Sequence, residues 1–144
     1  VVLVERQQLM YRTAPTEPVA APGPTAPHAV VSDHSRVIRP DERLLFRYSA
    51  ITYNTHRIHY DLPYASQVEG YPGLVVHGPL TATLLASLAA ETLGRELSTF
   101  SFRATSPTYA HVTLRLTAER TPEGPATLHA LRDDGVIVMT ARGY

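Results

Sequence analysis

Between Gly78-Pro79 and Gly94 runs LTATLLASLAAETL, a stretch that is apolar or small on nearly every face. Pro79 stands where a helix start tolerates a residue without an N–H, and Gly94 stands where left-handed backbone closes a helix. The spacing predicts one helix of roughly fifteen residues, about 22 Å long. A helix polar on no side is wrapped by other structure. The rest of the chain must therefore supply the wrapping.

Downstream, STFSFRATSPTYA (98–110), HVTLRLTAER (111–120), PATLHALRDD (125–134) and VIVMTARGY (136–144) alternate or are rich in β-formers. Pro122-Glu123-Gly124 and Asp133-Asp134-Gly135 mark turns between them. Leu114 and Leu116 fall on one strand face, with Thr113, Arg115 and Thr117 on the other. A buried helix followed by four antiparallel strands predicts an α+β domain whose sheet curls around the helix.

Upstream, Pro40-Asp41-Glu42 opens a second helix, its acidic residues complementing the helix dipole. Leu44, Leu45 and Tyr48 recur at helical spacing, as do Phe46, Ala50 and Tyr53. DLPYASQVEG (61–70) has room for a short helix before the turn YPG at 71–73. The first twelve residues, VVLVERQQLMYR, alternate as a strand. After them APTEPVAAPGPTAPH (14–28) carries five Pro in fifteen residues, which excludes a helix or a central strand and makes 13–29 a linker. The domain proper is expected over 30–144.

Composition narrows the function. The formal net charge is zero and the 13 basic residues, all Arg, form no runs, so no nucleic-acid partner is expected. With no Cys, disulfides, thiolate metal sites and a Cys nucleophile are excluded. No apolar run has the length of a membrane span, and the first residues lack the pattern of a secretory leader, so a cytoplasmic location is expected.

The chemistry-bearing residues cluster at 53–61, YNTHRIHYD. His56 and His59 lie three apart with Asp61 close by, but no third ligand stands at zinc spacing, and no metal is expected. FRYSAITYNTHRIHYD (46–61) followed by VVHGPLTATLL (75–85) resembles the hot-dog-fold acyl-thioester dehydratases and hydratases. This is the MaoC-like group, and the branch it resembles is that of the 3-hydroxyacyl-thioester dehydratases and mesaconyl-CoA hydratases. The resemblance covers roughly 45–144 and implies a hot-dog fold, a curled sheet wrapped around a long central helix. It also implies a hydro-lyase that adds or removes water at the C2–C3 bond of a thioester of CoA or acyl carrier protein, without a cofactor.

In the wider family the first motif carries an Asp and, five residues later, a His. By position His59 takes the place of the His, while the place of the Asp falls on Asn54, a departure from the wider pattern. The resemblance makes His59 the general base and acid, titrating near neutral pH. Asn54 cannot take up a proton, but its amide both donates to and accepts from a water. The second motif implies that the Gly78 amide, at the start of the helix, polarises the thioester carbonyl. Tyr53, His56, Arg57, Val76 and His77 flank these groups as candidate substrate contacts, with His56 and Arg57 at the entrance and His77 in a more structural place. Asp61 does not match the position of the family's acid. His28, His34, His111 and His129 stand apart and are expected to do no chemistry.

Two alternatives share this fold. A hot-dog thioesterase would use the same helix start, but such enzymes place a carboxylate on or near the central helix, and here only Glu91 is available, far from Gly78. A non-catalytic acyl-binding half of a two-unit assembly would lack the His-bearing motif. The first strand and the Pro-rich linker resemble the junction between two hot-dog units in one chain. The expectation is therefore a C-terminal, motif-bearing unit paired with a second hot-dog unit, either a companion N-terminal half or the partner in a homodimer.

Overall fold

The computed structural model describes residues 3–8, 34–120 and 124–144. Its elements run β1 (His34–Ile38), α1 (Glu42–Thr52), a 3₁₀ turn (Arg57–His59), α2 (Leu62–Gln67), α3 (Gly78–Leu93), then β2 (Phe100–Ala104), β3 (Leu114–Arg120), β4 (Ala126–Arg132) and β5 (Ile137–Gly143). This is the hot-dog fold: a five-stranded antiparallel sheet packed against one long helix.

Helix α3 begins and ends where its punctuation predicts. Gly94 adopts φ 67° and caps the last turn through bonds to Ala90 and Glu91 carbonyls. The helix is not enclosed on every side, however. Leu80, Ala82, Leu85, Leu88 and Ala89 are buried, while Pro79, Thr83, Ser87 and Glu91, spaced four apart, face solvent. Sheet and upstream segment cover the apolar sides and leave one narrow stripe of mostly small polar residues.

The sheet presents Leu116, Ala130 and Met139 in one cross-strand row and Ala118, Leu128 and Ala141 in the next. Large and small side chains thus alternate beneath α3, and the helix settles close to the strands. At Gly143 the approach is close, since a Cβ there would stand 3.0 Å from the Ala89 Cβ. Near Ala130 and Leu131 the β4–β5 register shifts by a bulge, so that the successive residues Val138 and Met139 are both buried.

The strand order is β1-β3-β4-β5-β2. Strands β3 to β5 form the expected meander, but β2 crosses to the far edge and pairs with β5 rather than β3. The strand expected over 98–110 is confined to 100–104, and the following residues return to the upstream segment through a bridge between Val75 and Tyr109. Strand β1, pairing with β3, has no counterpart in the sequence expectations. As a largely exposed edge strand it lacks the apolar alternation that would announce it. Residues 3–8 are exposed and carry no assigned secondary structure. The remainder of the expected 1–12 strand, the 13–29 linker and positions 121–123 lie outside the described residues. Among the described residues no helix is long and apolar enough to cross a membrane.

Helix α1 starts at Asp41, whose extended backbone lets its carboxylate accept the Leu44 N–H at 2.8 Å. Asp41→Ala removes that cap and is expected to lower unfolding stability by about 1 kcal/mol, read by denaturant titration. The helix carries Leu45 into a second apolar cluster with Ile58, Leu74, Val75, Val76 and Leu80. This cluster sits over the start of α3 and holds the 54–76 segment there.

Candidate active site

The YNTHRIHYD segment begins at the end of α1. Tyr53 closes the helix in left-handed backbone, φ 53°, a conformation costly for a residue other than Gly. The strained residue directly precedes Asn54. The Asn54 N–H donates to the Ser49 carbonyl at 2.9 Å, while its side-chain oxygen accepts the His56 N–H at 3.0 Å. That local turn leads into the 3₁₀ turn ending at His59.

His59 is buried, with 7% of its surface exposed. Its Nδ1 lies 2.7 Å from the Val75 carbonyl. A carbonyl only accepts, so Nδ1 carries the proton and the neutral ring presents a bare Nε2. That atom has no hydrogen-bond partner among the described residues and is not sealed from solvent. Burial, and then the neighbouring His56, push the His59 pKa below the ordinary histidine value, against the opposing pull of the Val75 carbonyl. The side chain is a neutral base with one accessible nitrogen.

His77 lies directly against it. The two rings stack with centroids 3.7 Å apart and planes 19° apart. His77 is fully buried; a hydrogen bond of 2.9 Å joins its Nε2 to the Ser49 hydroxyl, and its Nδ1 has no partner among the described residues. Tyr48 packs edge-on against the same ring at 4.9 Å. Burial lowers the His77 pKa to about 4, with His59 and His56 adding to the effect. The His56 ring meets His59 edge-on at 5.5 Å.

His77 is also the residue preceding α3, so the next amide is that of Gly78. The first N–H groups of a helix have no intrahelical acceptor, and a Cβ at Gly78 would meet no atom within 4 Å. The Gly78 amide thus stands at the positive end of a sixteen-residue helix, directly after His77, and the side where a Cβ would stand is open.

The other predicted residues separate. Val76 is buried in the apolar cluster, and its N–H donates to the Thr108 carbonyl at 2.9 Å. Arg57 makes two bonds to Asp61, 3.0 and 2.7 Å, and its guanidinium lies 4.1 Å over the Tyr64 ring. Asp61 also caps α2 by accepting the Tyr64 N–H, so both charges brace the loop. Tyr53 is 92% exposed; with Ser49, Asn54 and Tyr60 it lines an open cleft of about 270 Å³ beside α1. His111 does not stand alone: its Nε2 pairs with Glu42 at 2.8 Å. Glu91 is bound by Arg36 at 2.8 and 2.9 Å, away from Gly78. The histidines stack rather than converge, and no group of three His, Cys, Asp or Glu among the described residues could hold a metal ion.

Ser49 and the Val75 carbonyl were absent from the sequence expectations. Ser49 had a signal, since it stands four residues after Leu45 on the buried face of α1, where a polar side chain needs a buried partner. The Val75 carbonyl had none, because backbone acceptors are not visible in residue types.

The family model for hydroxyacyl-thioester dehydratase type 2 matches residues 1–110, which include both motifs. The chain belongs to this family. It is 47% identical over 138 residues to a mesaconyl-C(4)-CoA hydratase of Chloroflexus aurantiacus, a match that takes in 95% of this chain and 48% of the relative. It is 34% identical over 94 residues to the mitochondrial hydroxyacyl-thioester dehydratase type 2 of Schizosaccharomyces pombe, across 63% of this chain and 31% of the relative. The chain thus spans about half, or less, of the curated relatives it matches. Among solved structures, the ChsH1-ChsH2 complex of Mycobacterium tuberculosis superimposes with a TM-score of 0.64 at 15% identity, over 76% of this chain and 89% of that one. That likeness shows the hot-dog fold.

Proposed function

We propose that this dehydratase-family chain is the catalytic unit of an enzyme that reversibly hydrates an α,β-unsaturated acyl thioester of CoA or acyl carrier protein. The observation that carries the reading is His59: a buried, neutral imidazole whose Nδ1–H is committed to Val75, leaving Nε2 to the substrate side, next to the helix start at Gly78.

In hydration, His59 Nε2 takes a proton from water as the water oxygen bonds to C3. The C2–C3 π electrons pass toward the thioester carbonyl, whose developing negative charge the Gly78 N–H stabilises. The imidazolium then returns the proton to C2, and dehydration runs these steps backwards. Asn54 holds the water through its side-chain amide, the oxygen of which is steadied by the His56 N–H. Tyr53 and His56 border the entrance; Val76, Arg57 and His77 support the loop and ring from behind.

A second hot-dog unit, from the same polypeptide or another chain, completes the assembly. The chain's span of about half of its relatives supports this, as do the exposed apolar side chains Phe46 and Ile51 on α1 and Phe102 on β2.

The test is loss of enoyl-thioester absorbance with crotonyl-CoA, a longer trans-2-enoyl-CoA and mesaconyl-CoA, with a free-thiol reagent in parallel. Absorbance loss without thiol release is expected. Thiol release would replace the reading with a thioesterase. In the same assay Asn54→Ala is expected to lower kcat by roughly tenfold. Asn54→Asp retains activity but moves the acid limb of the pH profile to higher pH, because a nearby carboxylate favours the imidazolium. An unmoved limb would mean that Asn54 does not face the base.

A further inference from the structure

Two polar side chains in this region are buried. His77 is fully buried, and Ser49 is nearly so. The cost of burying an imidazole with one unpartnered nitrogen calls for a reason. The same ring volume filled by an apolar side chain would avoid it.

Their connections supply one. Ser49 holds both arms of the site: its carbonyl accepts the Asn54 N–H, and its hydroxyl bonds to His77. His77 in turn lies flat against His59 and immediately precedes the Gly78 amide along the chain. A histidine side chain has two torsions to fix. The Val75 carbonyl anchors one edge of the His59 ring at Nδ1, but a single hydrogen bond leaves the ring free to rock about that contact. A second ring stacked at 3.7 Å removes that motion and sets the direction in which Nε2 points.

We propose that Ser49 and His77 form a positioning pair, in which the Ser49-held His77 ring fixes the plane of His59 and keeps it in register with the Asn54 side chain and the Gly78 amide. His77 then acts through His59 and touches no substrate. Orienting a base in this way acts on the barrier of the chemical step rather than on binding, and small misplacements are costly.

This rests on the hydratase reading, so the test joins kinetics to a readout independent of turnover. The full chain is compared as wild type, His77→Leu, Ser49→Ala and Ser49→Thr, with crotonyl-CoA as the probe and a thermal melt confirming that each variant is folded. Expected are a fall in kcat of roughly tenfold or more for His77→Leu and about fivefold for Ser49→Ala, with KM within about twofold. Ser49→Thr, which keeps the hydroxyl, is expected to stay close to wild type. In the NMR spectrum the His59 Nδ1 proton, shielded in wild type, exchanges with water about tenfold faster or more in His77→Leu and in Ser49→Ala.

A folded His77→Leu with wild-type kcat, or one with raised KM at unchanged kcat, would overturn the proposal, the latter by making His77 a substrate contact. So would an unaltered His59 proton in both variants. Should His77→Leu fail to fold, Ser49→Ala and Ser49→Thr carry the same comparison through a smaller change. If wild type leaves every enoyl thioester untouched, the hydratase reading fails, while proton exchange still decides whether His77 orders His59.

Discussion

His59→Ala is expected to lower kcat for enoyl-thioester hydration by roughly 10²- to 10⁴-fold, the range typical of a positioned general base. KM should change little, because in the proposed mechanism the ring contributes in the transition state rather than to thioester binding. Substitution by Ala also leaves the Val75 carbonyl and one face of His77 bare, so the melting temperature must be followed alongside. The pH profile gives an independent mark of the same residue. The base acts when neutral, and burial lowers its pKa, so the acid limb of kcat/KM is expected below the ordinary histidine value of 6.5. A limb at or above that value would mean that the His59 site is wetter than its buried setting indicates, or that another group is the base.

The second large effect concerns stability. His77 titrates at about 4 in the folded protein, against 6.5 as an ordinary histidine. Protons therefore bind the unfolded chain more readily between those values, and the contribution of a neutral His77 is fully present above pH 6.5 and lost as pH falls toward 4. At ~1.4 kcal/mol for each pH unit of such a difference, the loss is on the order of 3 kcal/mol. His59 shifts in the same direction and adds to it. Denaturant unfolding of wild type and His77→Leu at pH 7, 5.5 and 4 measures this. The wild-type curve is expected to fall steeply over that span and the variant's to be flatter, because leucine has no proton to take up. Equal slopes would show that His77 is not held neutral by burial.

These two effects share an origin. Two imidazoles packed face to face in an apolar setting cannot both be charged without strong repulsion, and each lowers the tolerance of the place for the other's proton. The burial that costs stability in acid also holds both rings' pKa below the ordinary histidine value. On the proposed mechanism, stability and catalysis are linked through the same pair of rings.

The departure from the wider family at Asn54 fits this arrangement. A carboxylate there would favour the charged form of a neighbouring histidine, whereas an amide leaves the His59 protonation to burial, the Val75 carbonyl and His56. The residue before it, Tyr53, in left-handed backbone, and the Asx-type bond from His56 together fix where the amide faces. Residues 53–59 are a braced loop, with the Arg57–Asp61 pair and the Tyr64 ring on its outer side. The Asp61 carboxylate caps α2 and pairs with Arg57.

The features that local chemistry decides were readable from the sequence. Gly78-Pro79 and Gly94 delimit α3, Asp41 opens α1, and the alternation of 114–120 and 126–132 makes strands, because each depends on backbone preferences or side-chain period within a few residues. The two motifs placed His59, Asn54 and Gly78 at the ends of these elements. Three things required the folded chain. Strand β1 pairs as an exposed edge and carries little apolar pattern, and β2 chooses β5 over β3, since a strand's partner is set by the packing of the whole sheet across α3. The open stripe on α3 depends on which faces the neighbours reach. Most consequential is the stacking of His77 on His59, eighteen positions apart, with Ser49 and the Val75 carbonyl holding one ring each. Such contacts depend on how the 54–76 segment folds back over the helix start, and no periodicity or residue type along the chain encodes that distance.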